Sequence, residues 1–83
     1  MPLERLKTAR QRTVGTKQTL KAVEKGQVEV VYVAQDADPH VIIPLMKKCE
    51  ERAIPVIQID TMDTLGVACG IKVGSASAAI LKG

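Results

Sequence analysis

Val28-Glu-Val-Val-Tyr-Val-Ala34 is the stretch that decides the fold. It is nearly continuous in apolar and β-branched side chains, the mark of a strand covered on both faces. A strand of that kind needs layers above and below it, and the flanking sequence supplies helices for both. Upstream, residues 16–25 place Leu20, Ala22 and Val23 on one helical face, and Gly26 stands where a helix-ending glycine belongs. Downstream, Gln35-Asp-Ala-Asp-Pro39 is a turn whose proline opens a helix. That helix runs to about Arg52 on Val41, Ile42, Leu45, Met46 and Cys49.

Residues 54–59 (IPVIQI) form another strand, entered through Pro55. Asp60 or Thr61 then caps a short helix carrying Leu65, Ala68 and Cys69, which Gly70 ends. Residues 71–75 are a loop, and residues 76–81 are a last strand of small side chains. Towards the N-terminus, residues 3–11 set Leu3 and Leu6 among basic side chains as a short amphipathic helix. Thr13-Val14 is brief and extended, and Gly15 breaks the chain. The order α-β-α-β-α-β-α-β, with strands of six or seven residues, predicts an α/β fold. Its form is a three-layer α/β/α sandwich around a central four-stranded mixed sheet, a single domain over residues 1–83. A fragment of a larger doubly wound enzyme is the alternative; the regular spacing and the closing Lys82-Gly83 speak against it.

Eighty-three residues bury a core but not a core plus a large catalytic cavity. Phe and Trp are absent and Tyr32 is the only aromatic, so the core is aliphatic and single strands find no stacking platform. The net charge of +3 fits RNA binding and equally fits mere solubility. Its distribution says more. Arg5, Lys7, Arg10, Arg12, Lys17, Lys21 and Lys25 crowd the N-terminal third, while acids gather at Asp36, Asp38, Glu50, Glu51, Asp60 and Asp63. Cys49 and Cys69 lack metal-type spacing and read as buried reduced thiols. The N-terminal residues have no apolar signal region, and no run is long enough to span a membrane, so a cytoplasmic location is expected.

Gly15-Thr-Lys-Gln-Thr-Leu-Lys21 is the first candidate site. A glycine followed by a helix first turn presents backbone N–H groups and the positive end of the helix dipole, where phosphates bind. Taken alone, an ordinary helix with a solvated polar face explains it as well or better. Gly70-Ile-Lys-Val-Gly-Ser-Ala-Ser77 is the second. Ile71 and Val73 either tuck under the sheet or form an apolar ledge for nucleobases. His40 has no partner at ligand spacing, so no metal site is expected. Ser75 and Ser77 have no base nearby, and Asp36 and Asp38 are explained by Asx turns. No nucleophile–base–orienter set forms, so the chain reads as non-enzymatic, with no cofactor.

The segments 15–26 and 34–39, with residues 49–55 (CEERAIP), 65–70 (LGVACG) and 76–80, stand together in one register. In that order they closely resemble the ribosomal protein L-seven-Ae family of kink-turn RNA-binding proteins, nearest its short bacterial ribosome-associated members. The resemblance implies recognition of sharply bent RNA internal loops, with tandem sheared G·A pairs beside a three-nucleotide bulge. In the family pattern G-x-N-E-x-x-K, the Asn and Glu read G·A base edges and the Lys supports them. Those roles fall on Lys17, Gln18 and Lys21, with Gly15 and Thr16 bringing backbone and hydroxyl donors. The family's turn acid matches Asp38, and its apolar loop matches Ile71, Lys72 and Val73, which cover the extruded nucleotide. Two positions depart from the pattern: Lys17 donates but cannot accept, and Gln18 keeps one carbonyl acceptor without the charge. The partners implied are structured RNA, ribosomal RNA among them, and the ribosome, bound by a monomer. The alternative is a protein–protein module of a ribosome or assembly factor with a weakened RNA face.

Overall fold

A computed structural model describes residues 2–82; Met1 and Gly83, the ends of the opening and closing stretches read above, lie outside the described residues. The elements are α1 (Pro2–Thr8), β1 (Arg12–Val14), α2 (Thr16–Glu24), β2 (Val28–Ala34), α3 (Pro39–Glu51), β3 (Val56–Ile59), α4 (Met62–Ala68) and β4 (Ser77–Leu81). Order and type match the sequence pattern, but lengths do not. α1 stops at Thr8, not residue 11, because the Arg12 guanidinium donates to the carbonyls of Leu6 (2.9 Å) and Lys7 (3.3 Å). β3 starts at Val56 because the Ile54 N–H is drawn back to the Cys49 carbonyl and Pro55 has no N–H to pair. Only the Pro55 carbonyl joins the ladder, accepting from Val31. Ala76 likewise contributes only its carbonyl, to Ala34, so β4 begins at Ser77. Of the three strands expected to run six or seven residues, β2 alone does so; β1 is brief, as Thr13-Val14 indicated.

The strands lie in the order β1-β4-β2-β3, with β2 and β3 parallel and the other neighbours antiparallel. The period of two along β2 sorts its side chains into two cores. Val30, Tyr32 and Ala34 pack with Ala78, Ile80, Leu6 of α1 and Leu65 and Ala68 of α4. Val31 and Val33 pack with Ala79, Ala22 and Val23 of α2, and Leu45 and Cys49 of α3. The sheet is therefore covered on both faces, as the unbroken apolar run required. Val28 and Val30 ought to share a face; a register shift between them puts Val28 in the second core and Val30 in the first. Tyr32 lies wholly buried at the centre, and burial pushes its phenol above the ordinary tyrosine value. Cys49 and Cys69 are free and buried, as expected, and burial raises both thiols.

Candidate functional site

The topology gathers the loops that follow β1, β2 and β3 at one end of the sheet. β1, β2 and β3 finish there, β4 starts there, and α2, α3 and α4 all begin there. Gly15, the turn at Asp38 and the part of the α4–β4 loop that returns to Ser77 consequently share that end, although they lie far apart in the sequence.

Gly15 makes the β1–α2 turn with φ 91° and ψ 154°, a conformation essentially confined to glycine. It supplies no side-chain cap to α2, so the first-turn N–H groups of Thr16, Lys17 and Gln18 have no such partner. Its own N–H is not among the free donors, because it is donated to the Ser77 carbonyl (2.9 Å). The Thr16 hydroxyl is also engaged, 2.8 Å from Ser77 Oγ. Both groups are thus partnered within the fold. Lys17, Gln18 and Lys21 are exposed. Thr19 turns inward and shares a buried 2.8 Å hydrogen bond with Thr13, which seats α2 on β1.

Ser77 is the junction that sequence reading missed. It is fully buried, and its carbonyl accepts from Ser75 Oγ (2.7 Å) as well as from Gly15. Ser75 N–H in turn donates to the Met62 carbonyl, and Met62 N–H donates to Asp36 Oδ1 at 2.8 Å. One hydrogen-bonded path thus runs from the turn before α3, through the start of α4 and the 70–76 loop, to the first turn of α2. Asp36 is not spent on its own Asx turn, as expected, but on α4. Asp38 does behave as expected locally: it caps α3, Oδ1 accepting from His40 N–H at 2.9 Å.

The 70–76 loop lies against α4, with Ile71 N–H donating to the Gly66 carbonyl (3.1 Å). Gly66 is buried under the Val73 carbonyl, and a Cβ on Gly74 would stand 3.0 Å from Met62 Cβ. The expected ledge divides here. Val73 is 71% exposed and Lys72 is exposed, whereas Ile71 is half-buried and packs on the first core.

The N-terminal cations do not form one face. Arg12 turns inward and also caps the end of α4 through the Cys69 carbonyl (2.9 Å). Arg5 pairs with Glu29 (3.8 Å), and Arg10 lies beside Glu29 at the opposite end of the sheet. Of that group, Lys17 and Lys21 stand on α2, which begins at the loop end, and Lys7 lines a hollow with Asp63 and Thr64 at the start of α4. The loop end thus offers backbone and amide donors, lysine ammonium groups and an exposed valine, with no aromatic. Among the described residues no group of His, Cys, Asp and Glu could hold a metal ion, and no helix is long and apolar enough to cross a membrane.

The sequence profile of the ribosomal protein L7Ae/L30e/S12e/Gadd45 family matches residues 2–83. An RNA-binding protein of Caldanaerobacter subterraneus is 53% identical over 68 residues, 82% of this chain and 83% of that protein. An RNA-binding protein of a Geobacillus strain is 43% identical over 82 residues, 99% of this chain and 100% of that protein. Among solved structures, the Giardia lamblia 15.5kD RNA binding protein superposes with a TM-score of 0.89 at 32% identity, over 99% of this chain and 72% of the other. A Bacillus halodurans protein of unknown function gives 0.83 at 32% identity, over 96% of this chain and 80% of the other.

Proposed function

This chain belongs to the ribosomal protein L7Ae/L30e/S12e/Gadd45 family, and from that premise we propose that it is a non-catalytic RNA-binding protein that recognises and stabilises kink-turns in structured RNA, ribosomal RNA among them, acting as a cytoplasmic monomer. The observation that carries this reading is the hydrogen-bonded union of its two surfaces. The Ser77 carbonyl and hydroxyl hold the first turn of α2 against the loop that presents Val73. A duplex offers side chains little to read, whereas a distorted step exposes base edges and an unstacked nucleotide. Gln18 meets the exposed edges of the sheared G·A pairs. Lys17 and Lys21 neutralise the flanking phosphates, while Val73, with the half-buried Ile71 behind it, covers the extruded nucleotide beside Lys72. Gly15 and Thr16 shape the turn, and the free carboxylate oxygen of Asp38 meets the bulge. The absence of an aromatic suits a site that reads edges and backbone.

Gln18 tests the centre of the interface. Gln18→Ala loses about 1–3 kcal/mol of kink-turn affinity and relaxes discrimination at the G·A step. Gln18→Glu holds or improves affinity, by up to about 1 kcal/mol, because a carboxylate accepts from two guanine donors at once and Lys17 and Lys21 offset its charge. Titration of both variants against intact and G·A-disrupted RNA measures this. Binding equal to that of the parent in both variants overturns the assignment.

A further inference from the structure

At the loop end, Asp36, Asp38, Asp60 and Asp63 offset the lysines, Lys7 beside Asp63 included, and leave no net excess of positive charge. The opposite end of the sheet, where β4 finishes and β1 and β2 start, carries a hollow of about 550 Å³ with Arg5, Thr8, Arg10, Gln11 and Glu29 around a floor of Ala9, Ile80 and Leu81. A second hollow of about 280 Å³ shares Gln11 and Leu81 with it and adds Gln27 and Lys82. The two meet as a trough whose cations Arg5, Arg10 and Lys82 oppose the single carboxylate Glu29, which Arg5 already faces at 3.8 Å. Its frame is set by backbone pairing, Leu81 N–H to the Gln11 carbonyl (3.0 Å) and Lys82 N–H to the Gln27 carbonyl (2.7 Å).

We propose that this trough is a second RNA-contacting surface, which takes the sugar–phosphate backbone of a duplex segment without reading its sequence. Guanidinium, ammonium and amide donors match phosphate oxygens and ribose hydroxyls, the groups that position RNA rather than specify it. A protein partner would look for apolar anchors. Among the described residues the exposed large apolar side chains, Val41, Ile43, Val67 and Val73, lie outside the trough. A single strand would look for stacking surfaces, and the trough has no aromatic. Ser77 and Leu81 mark the two ends of β4, roughly 13 Å apart at strand rise. An RNA held at the loop end leaves the trough open, so the protein tethers one RNA segment to another. This inference does not depend on the kink-turn reading.

The test saturates the protein with a short unlabelled kink-turn duplex and titrates in a labelled plain RNA duplex at low salt. The parent recruits the plain duplex. The variant Arg5→Gln/Arg10→Gln/Lys82→Gln binds it about tenfold more weakly, and the log–log salt slope shrinks by roughly 2–3, as losing three phosphate contacts requires. Its affinity for the kink-turn duplex is unchanged. Failure of the parent to recruit, or equal recruitment by the variant, overturns the proposal. So does tighter binding of polyglutamate than of RNA, which would assign the trough to an acidic protein. Should the kink-turn duplex itself not bind, the plain duplex is titrated against free protein with the same comparison, and only the earlier reading falls.

Discussion

Gly66→Ala probes how the apolar loop is placed. Gly66 is helical and buried, and a Cβ built there runs into the Val73 carbonyl oxygen while standing 3.1 Å from the Val73 carbonyl carbon and 3.2 Å from Gly74 Cα. These are backbone atoms, so no rotamer change relieves the contact. The loop must retreat by about 1 Å to restore ordinary separation. It is held at both ends, by Ile71 N–H on the Gly66 carbonyl and by Ser75 N–H on the Met62 carbonyl, so the retreat is resisted. Overpacking of this kind costs about 2–3 kcal/mol, and the better helix propensity of alanine returns about 1. The net loss of about 1–2 kcal/mol lowers Tm by roughly 5–15 °C in a domain of this size. Binding suffers separately. Covering a valine is worth about 1.5–3 kcal/mol, and a 1 Å gap forfeits a quarter to a half of such contact. Kd for a kink-turn RNA rises about two- to twelvefold in consequence, measured where the variant is fully folded. A variant that melts at or above the parent temperature refutes the packing argument. Unchanged Kd in a variant that melts lower shows that Val73 does not touch the RNA.

Ile71→Ala and Val73→Ala separate stability from binding: Ile71→Ala lowers unfolding free energy by about 1–2 kcal/mol, whereas Val73→Ala leaves the melt unchanged and weakens RNA binding alone. Equal melts for the two variants contradict the division of the ledge. Gly15→Ala costs about 1–3 kcal/mol through backbone strain, since the added Cβ meets nothing within 4 Å; denaturant unfolding with an unchanged midpoint would show that the turn adopts another conformation. Burial raises the Cys49 and Cys69 thiols above their ordinary value of 9.0. The unfolded chain therefore loses these protons first, and stability is fully present below the ordinary thiol range and falls as pH rises through it. Unfolding midpoints from pH 7 to 10 check this, with a Cys49→Ala/Cys69→Ala variant showing a flatter alkaline decline.

Much of this protein is written locally. The apolar run of β2 demanded two covering layers, and the two cores meet it from opposite sides. Helix starts at Pro39 and Thr61 and stops at Gly26 and Gly70 follow from proline geometry, capping hydroxyls and positive φ. Each of those signals acts within a few residues, so sequence alone reveals it. The ordered segments that carry the family resemblance were legible for the same reason, and with them the positions of Lys17, Gln18 and Lys21.

Tertiary structure decided what depends on partners far along the chain. Whether Ile71 faces solvent or core could not be read from a glycine-bounded loop, because the answer lies in how that loop meets α4. Arg12 looked like one cation in a basic stretch, yet its guanidinium closes α1 and α4 at carbonyls six and fifty-seven residues away. Ser77 and Asp36 were read against near neighbours, while their partners Thr16 and Met62 stand sixty-one and twenty-six residues distant. Hydrogen bonds and steric contacts are short-ranged in space but indifferent to sequence separation. The pattern of apolar residues therefore determines which elements form, and only their packing determines which side chains remain free to meet a ligand.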